Sequence, residues 1–307
     1  MAGRHKTGAP IPVLINRKGG TAAAAGDRLK QDVAAAFDEA GLKAEIKLLD
    51  GGEIPVATEA LKDRDLVVVG GGDGTLGAAA AILANSRATL GILPLGTHNH
   101  FARQLGIPRD LAGAVRILAE GRREQVDLGA VNGHIFLNNA SIGFYPSLVR
   151  TREHAQQRHG LPKWLANLPA SWAALRRLRH HRLTIAAEGV AQDVRTPLLF
   201  VGNNLYALEG GQVGERKSLD EGRLSLYAVE GRSRLGALWF GLRVLAGRAD
   251  LQRDFAIAET CPTLTVRAHA RHIHVALDGE VMRLESPLRF EIRPRALQVI
   301  AAMDTNG

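Results

Sequence analysis

The stretch Leu66-Val67-Val68-Val69-Gly70-Gly71-Gly72-Asp73-Gly74-Thr75 decides the fold. Four apolar residues, three of them β-branched, spell a buried strand, and the glycines end it in a turn that no side chain crowds. A helical pattern follows over residues 76–84. Strand, glycine-rich turn and helix together present backbone N–H groups and a helix N-terminus to an anion, typically a phosphate. Asp73 lies inside the turn, where a carboxylate repels phosphate unless a metal, a water or a hydroxyl stands between them. The run therefore points to nucleotide chemistry rather than passive phosphate binding. Read locally, Asp73 is also an N-cap for the helix, a role compatible with a metal contact.

Working outward, residues 11–125 alternate strand and helix signals. Ile11-Pro12-Val13-Leu14-Ile15 is a strand leading into the turn Asn16-Arg17-Lys18-Gly19-Gly20. Leu29, Val33, Phe37 and Ala40 mark one face of a helix that stops at Gly41. Residues 44–49, 66–69 and 90–94 supply further strands, and Asp110 caps a helix carrying Leu111, Val115 and Leu118, closed by Gly121. Such units predict a parallel sheet covered on both faces, with ligands at the carboxyl ends of its strands. Beyond Asp127 the pattern becomes short apolar runs at 130–137, 183–187, 198–201, 224–229, 263–268, 273–277 and 288–292, bounded mostly by Gly, Asn, Asp or Pro. That is the signature of antiparallel strands, interrupted by one helical pattern at 235–246.

The chain has 307 residues, 46% of them apolar and 23% charged, which suits two soluble globular domains. No apolar run reaches membrane-span length, and residues 1–10 lack the apolar centre of a signal peptide. Cys261 is the single cysteine, which excludes an intrachain disulfide and a thiolate metal cluster; a reducing, cytoplasmic location is the expectation. The net charge of +8 suggests an anionic partner. Between Arg150 and Arg182, eight Lys/Arg face one acid, Glu153, interleaved with Trp164, Trp172 and leucines at roughly helical intervals. This composition suits a surface on anionic lipid headgroups, or equally a solvated basic helix packed by its leucines. Nucleic acid is not the expected partner, because no helix-turn-helix, zinc-finger or aromatic RNA-binding signature accompanies the charge.

A second glycine turn reads Pro94-Leu95-Gly96-Thr97-His98-Asn99-His100-Phe101-Ala102-Arg103. Together with Gly71–Thr75 it resembles the diacylglycerol kinase catalytic-domain family, which includes bacterial lipid kinases and sphingosine kinases. The resemblance continues through Asn16-Arg17-Lys18-Gly19-Gly20, Val126-Asp127-Leu128-Gly129, residues 136–143, residues 219–224 and Leu277-Asp278-Gly279-Glu280, in the family's order. It departs at Gly77 and Ala78, where the family usually has Asn-Glu, and at His100, where it usually has Asp. The resemblance implies a Rossmann-like, phosphofructokinase-like parallel-sheet α/β domain over residues 10–127. A mainly antiparallel β-sandwich lipid-substrate domain would follow over 128–287, and a C-terminal strand over 288–304 would pack back near the first domain.

The activity so implied is ATP-dependent phosphorylation of a lipid hydroxyl, with magnesium, by a cytoplasmic protein associating peripherally with an anionic membrane; a homodimer is compatible with it. Asn16, Arg17, Lys18, Gly19, Gly71, Gly72, Asp73, Gly74, Thr75, Gly96, Thr97 and Asn99 become nucleotide-binding positions. Backbone approach to phosphates needs the glycines, and Asp73 suits a water-mediated magnesium contact. Glu280 resembles the family's general base, Asp127 its second active-site acid, and Leu219, Glu221 and Arg223 a structural magnesium loop that elsewhere carries Asp for Glu221. Without the family, Asp278-Gly279 reads as a hairpin turn and Asp127 as a strand-end cap. Two alternatives stand beside the lipid kinase: an NAD kinase-like small-molecule kinase, and a catalytically silent lipid or nucleotide sensor.

Overall fold

A computed structural model describes residues 9–143, 180–206, 216, 218–229 and 255–303. Residues 150–179 of the basic tryptophan segment and the helical pattern at 235–246 lie outside the described residues. The chain divides into two units, Met1–Leu128 with Pro294–Gly307, and Gly129–Arg293. No helix among the described residues is long and apolar enough to cross a membrane.

The first unit runs β1 (Ile11–Asn16), α1 (Gly20–Ala25), α2 (Leu29–Glu39), β2 (Ala44–Leu49), α3 (Ile54–Glu59), β3 (Leu66–Gly71), α4 (Asp73–Leu83), β4 (Thr89–Pro94), α5 (His100–Gln104) and α6 (Leu111–Glu120). The strands are parallel in the order β2-β1-β3-β4. All six residues of β3 are buried, as befits a continuous apolar run covered on both faces. Leu29, Val33, Ala36 and Phe37 form the buried stripe of α2. Asp110 caps α6 as expected, its Oδ1 accepting the Gly113 N–H at 2.7 Å. Helix α4 starts at Asp73 rather than at residue 76: Gly72 is extended, at φ −91° and ψ −179°, and occupies the N-cap position. Asp73 is thus the first residue of the helix, and the local N-cap expectation does not hold.

The second unit begins within β5 (Arg122–Val131) and continues through β6 (His134–Phe136), β7 (Asn139–Gly143), β8 (His181–Ala187), β9 (Val190–Thr196), β10 (Leu198–Asn203), β11 (Leu224–Val229), β12 (Phe255–Cys261), β13 (Thr263–Ala268), β14 (His272–Leu277), β15 (Glu280–Glu285) and into β16 (Leu288–Ala301). One antiparallel sheet runs β12-β11-β10-β7-β14-β15, and the other runs from the start of β16 through β13 and β8 to β9. Their inner faces share a core that includes Phe136, Ile142, Ile185, Val201, Leu226, Val266, Val275 and Phe290, making a β-sandwich. The run 130–137, which reads as one strand, is a hairpin: Asn132 (φ +47°) and Gly133 (φ +85°) turn β5 into β6.

Strand β16 extends well past residue 292. Its first part pairs antiparallel with β13, and its last part pairs parallel with β4 in the first unit, Gln298 opposite Thr89. Between them Pro294 has no N–H to give, and Arg295 takes φ +50°.

Candidate active site

In the first unit the carboxyl ends of β1, β3 and β4 each run into a glycine turn, and the turns are packed backbone to backbone. A Cβ on Gly96 would lie 2.3 Å from Gly72 Cα, and one on Gly20 would lie 2.5 Å from the Leu95 carbonyl oxygen. Only glycine permits this approach, and Gly20 also needs φ +45°. Hydrogen bonds stitch the same segments together. Leu95 N–H donates to Gly71 O at 3.1 Å, and Thr21 donates to Leu95 O from its N–H at 2.9 Å and from its hydroxyl at 3.0 Å. Asn16 Nδ2 donates to Thr75 Oγ1 at 2.9 Å, tying the end of β1 to the first turn of α4. Asn99 is 3% exposed, at φ +54°: its Oδ1 accepts from Gly96 N–H, and its Nδ2 donates to the carbonyls of Pro94 and Gly96. It shapes the turn from within, while Thr97 is exposed at the tip.

Asp73 does something the sequence does not announce. Its two carboxylate oxygens accept the backbone N–H groups of His100 and Phe101, each at 3.1 Å. It thereby caps α5, whose own N-cap residue Asn99 makes no side-chain cap. The half-buried carboxylate keeps further lone pairs, so this hard-oxygen donor fits an outer contact to a hydrated magnesium ion. Around it gather basic side chains. The His98 and His100 rings stack at 5.6 Å, Arg103 Nη2 lies 3.4 Å from His100 Nδ1, and Arg109 Nη2 donates to the His98 carbonyl at 3.1 Å. Burial pushes the His100 imidazole below its usual pKa, opposed by the charge of Asp73 and reinforced by Arg103, His98 and Arg109. Arg17 and Lys18 are held by Asp50, at 2.6 Å and 2.8 Å. Hydrogen bonds from those two cations hold the Asp50 carboxyl down to about 2. Nothing in the local sequence marks Asp50 as their anchor, since the partners are separated along the chain and meet only because β1 and β2 are adjacent.

In the second unit Leu277 pairs with Glu280 across a two-residue turn in which Asp278 (φ +47°) and Gly279 (φ +96°) both take left-handed conformations. The hairpin reading of Asp278-Gly279 is therefore right, and it is also what presents Glu280. Asp278 is the residue that sequence reasoning missed. Its Oδ2 accepts from Leu137 N–H at 2.6 Å, and its Oδ1 from Asn138 and Asn139 N–H at 2.7 and 3.0 Å. The other side of this segment is clamped by Arg216, whose Nη1 donates to Leu137 O at 2.7 Å, and by the Tyr206 hydroxyl on Asn138 O at 2.9 Å. Glu280 is exposed at the start of β15, and its carboxylate makes no hydrogen bond or ion pair among the described residues. A carboxylate so placed is open to accept a proton.

Asp127 is 1% exposed in β5, and its Oδ1 accepts the Arg295 N–H at 2.8 Å, holding the irregularity of β16. It lies within a strand rather than capping its end. Leu219, Glu221 and Arg223 lie in a loop tied by hydrogen bonds to Asn204 and Leu205. Glu221 Oε2 accepts from Leu205 N–H at 3.1 Å, and the Arg223 carbonyl accepts from Asn204 N–H at 3.0 Å. No group of three or more His, Cys, Asp or Glu side chains that could hold a metal ion occurs among the described residues.

The chain is similar to known proteins over most of its length. Residues 10–131 match the diacylglycerol kinase catalytic domain, and residues 147–301 match the YegS C-terminal NAD kinase beta sandwich-like domain. A "Probable lipid kinase YegS-like" protein of Pseudomonas aeruginosa (strain UCBPP-PA14) is 34% identical over 287 residues, covering 90% of each chain. A protein of the same description from Klebsiella pneumoniae (strain 342) is 30% identical over 252 residues, covering 81% of this chain and 82% of its own. The crystal structure of a diacylglycerol kinase from Bacillus anthracis str. Sterne superposes with a TM-score of 0.66 at 20% identity, over 95% of this chain and 96% of that one, and so shares the fold.

Proposed function

Since the chain belongs to the diacylglycerol kinase catalytic-domain family, we propose that it transfers the γ-phosphate of ATP to the hydroxyl of a lipid, diacylglycerol-like in class. The observation that carries this reading is the backbone packing of Gly20, Gly72 and Gly96 at three parallel strand ends. It leaves a turn surface made of main chain beside the N-terminus of the eleven-residue α4, the setting in which phosphate oxygens find N–H donors. Arg103 and Arg109 add positive charge around Asp73, which suits a polyphosphate. Arg17 and Lys18, pre-positioned by Asp50, extend it along the turn after β1.

Glu280 accepts the proton of the lipid hydroxyl as that oxygen bonds to the γ-phosphorus. The bond from phosphorus to the bridging oxygen breaks, and its electron pair leaves on ADP. Asp278 and Asp127 act as positioning residues, the first by fixing the turn that carries Glu280 and the second by fixing β16. Magnesium, bound with the nucleotide, would neutralise phosphate charge, and Asp73 would hold it through water. A lipid acceptor also implies work at a membrane surface.

The test is transfer of label from ATP to diacylglycerol, phosphatidylglycerol, a sphingoid base and NAD. Label in a lipid supports the proposal, and label appearing in NADP alone overturns it. Glu280→Gln should lower turnover by orders of magnitude with nucleotide binding retained; a fully active variant would remove Glu280 from the role of base.

A further inference from the structure

The outer face of the β9-β8-β13 sheet carries arginines that the kinase chemistry does not use. In β8, Leu183 and Ile185 point into the sandwich core, so Arg182 and Thr184 face outward. Arg182 stands directly opposite Arg195 of β9, and Thr184 is flanked by Asp193 on one side and Arg267 of β13 on the other. His269, one residue beyond the Ala268–Leu183 pair, continues the Arg182 row. These side chains line an open cleft of about 460 Å³.

The charges do not close among themselves. The single acid, Asp193, is engaged by the Thr184 hydroxyl at 2.7 Å, and the guanidinium groups of Arg182, Arg195 and Arg267 have no ion-pair partner among the described residues. Elsewhere in the same unit arginines do pair, Arg271 with Glu285 and Arg293 with Glu291. Like charges directly opposite each other destabilise a sheet, so this face is short of an anion. Guanidinium groups match phosphate oxygens two at a time, and an open, exposed array of them suits many headgroups side by side. No Phe, Tyr or Trp among the described residues lines the cleft to stack a nucleic-acid base.

We infer that this face, through Arg182, Arg195 and Arg267 with His269, docks the protein on the anionic headgroups of a phospholipid surface. The inference rests on the lipid-kinase reading, in which the acceptor lies in a bilayer, and it assigns a contact role to residues that the proposed chemistry leaves unused. Each arginine near such a surface contributes about fivefold in binding, so three contribute about a hundredfold, weakening with salt.

The experiment is sedimentation of the full chain with vesicles of phosphatidylcholine alone or mixed with phosphatidylglycerol. Wild type should bind the mixed vesicles only, and Arg182→Gln/Arg195→Gln/Arg267→Gln should bind them about a hundredfold more weakly. The Arg182→Lys/Arg195→Lys/Arg267→Lys protein should retain most binding. If the triple glutamine variant does not fold, the single Arg195→Gln change on the exposed β9 strand should still show a loss of about fivefold. Equal binding by wild type and the glutamine variant overturns the inference, as does wild-type binding to neutral vesicles alone. Loss of polyuridylate binding in that variant with vesicle binding intact overturns it in favour of nucleic acid. The kinase reading is checked separately, by transfer to short-chain diacylglycerol in detergent micelles. That transfer should be the same in wild type and variant; its absence in both refutes the kinase while the vesicle result still decides the docking surface.

Discussion

Replacing Asp278 should separate the residue that builds the candidate base from the base itself. Its carboxylate accepts three backbone N–H groups, at 2.6, 2.7 and 3.0 Å. A hydrogen bond to a charged acceptor is worth about 1.5–3 kcal/mol, and partial exposure lets water replace some of it. Alanine would also sit at the left-handed backbone of Asp278, which adds about 1 kcal/mol. Asp278→Ala should therefore destabilise by about 4 kcal/mol, or lower the melting temperature by about 8–16 °C at about 2–4 °C per kcal/mol. Asp278→Asn tolerates the backbone and keeps one oxygen, but sets an NH2 group against an N–H donor; about half that loss is expected. Because Glu280 would be displaced, Asp278→Asn should also lower turnover by about tenfold to a hundredfold. Glu280→Gln, changing an exposed and unbonded side chain, should leave the melting curve where it is. Differential scanning fluorimetry and a label-transfer assay read both quantities. An Asp278→Ala protein melting within about 2 °C of wild type would show that the three bonds contribute little, and the reasoning would be wrong.

Gly96→Ala forces a Cβ to 2.3 Å from Gly72 Cα, so it should abolish the stabilisation by ATP in a thermal shift measurement; Gly52→Ala, with nothing within 4 Å, should not. Asp50 has a folded pKa of about 2, below the unfolded value of about 4, so the stability it adds is present above about pH 4 and is lost as pH falls through about 2. Asp50→Asn should flatten that part of the melting temperature against pH, and an unchanged profile would contradict the pairing with Arg17 and Lys18. Cys261 is 1% exposed and its thiol is pushed up to about 11, mainly by burial. A thiol reagent at about pH 8 should modify it only as fast as the protein unfolds, and rapid modification of the native chain would refute the burial.

The elements legible in the sequence share a physical property: they bury a whole face or a whole run. Strands β1, β3 and β4 are apolar because the parallel sheet is covered on both sides, and α2 and α6 show their stripes for the same reason. Three of the strands that the pattern did not announce, β9, β12 and β15, are the terminal strands of the described sheets. An edge strand such as β9, with two buried residues out of seven, has little apolar signal to read. β7 is central but is spelled Asn-Ala-Ser-Ile-Gly, four residues of poor β propensity, and its place is set by pairing with β10 and β14.

At the candidate site the division follows distance along the chain. The caps of α6 and the Asp-Gly hairpin depend on neighbours a few residues away, and the amino-acid order by itself determines them, because backbone freedom and capping are local properties. Asp73 reaching His100 and Phe101, Asp50 holding Arg17 and Lys18, Asp278 gathering residues 137–139, and Asp127 meeting Arg295 all join segments far apart in sequence. A carboxylate looks the same in sequence whether it caps its own helix, caps another or faces a substrate. Which of these it does is decided only when the tertiary structure brings a particular N–H within 3 Å or leaves the oxygens, as at Glu280, open to solvent.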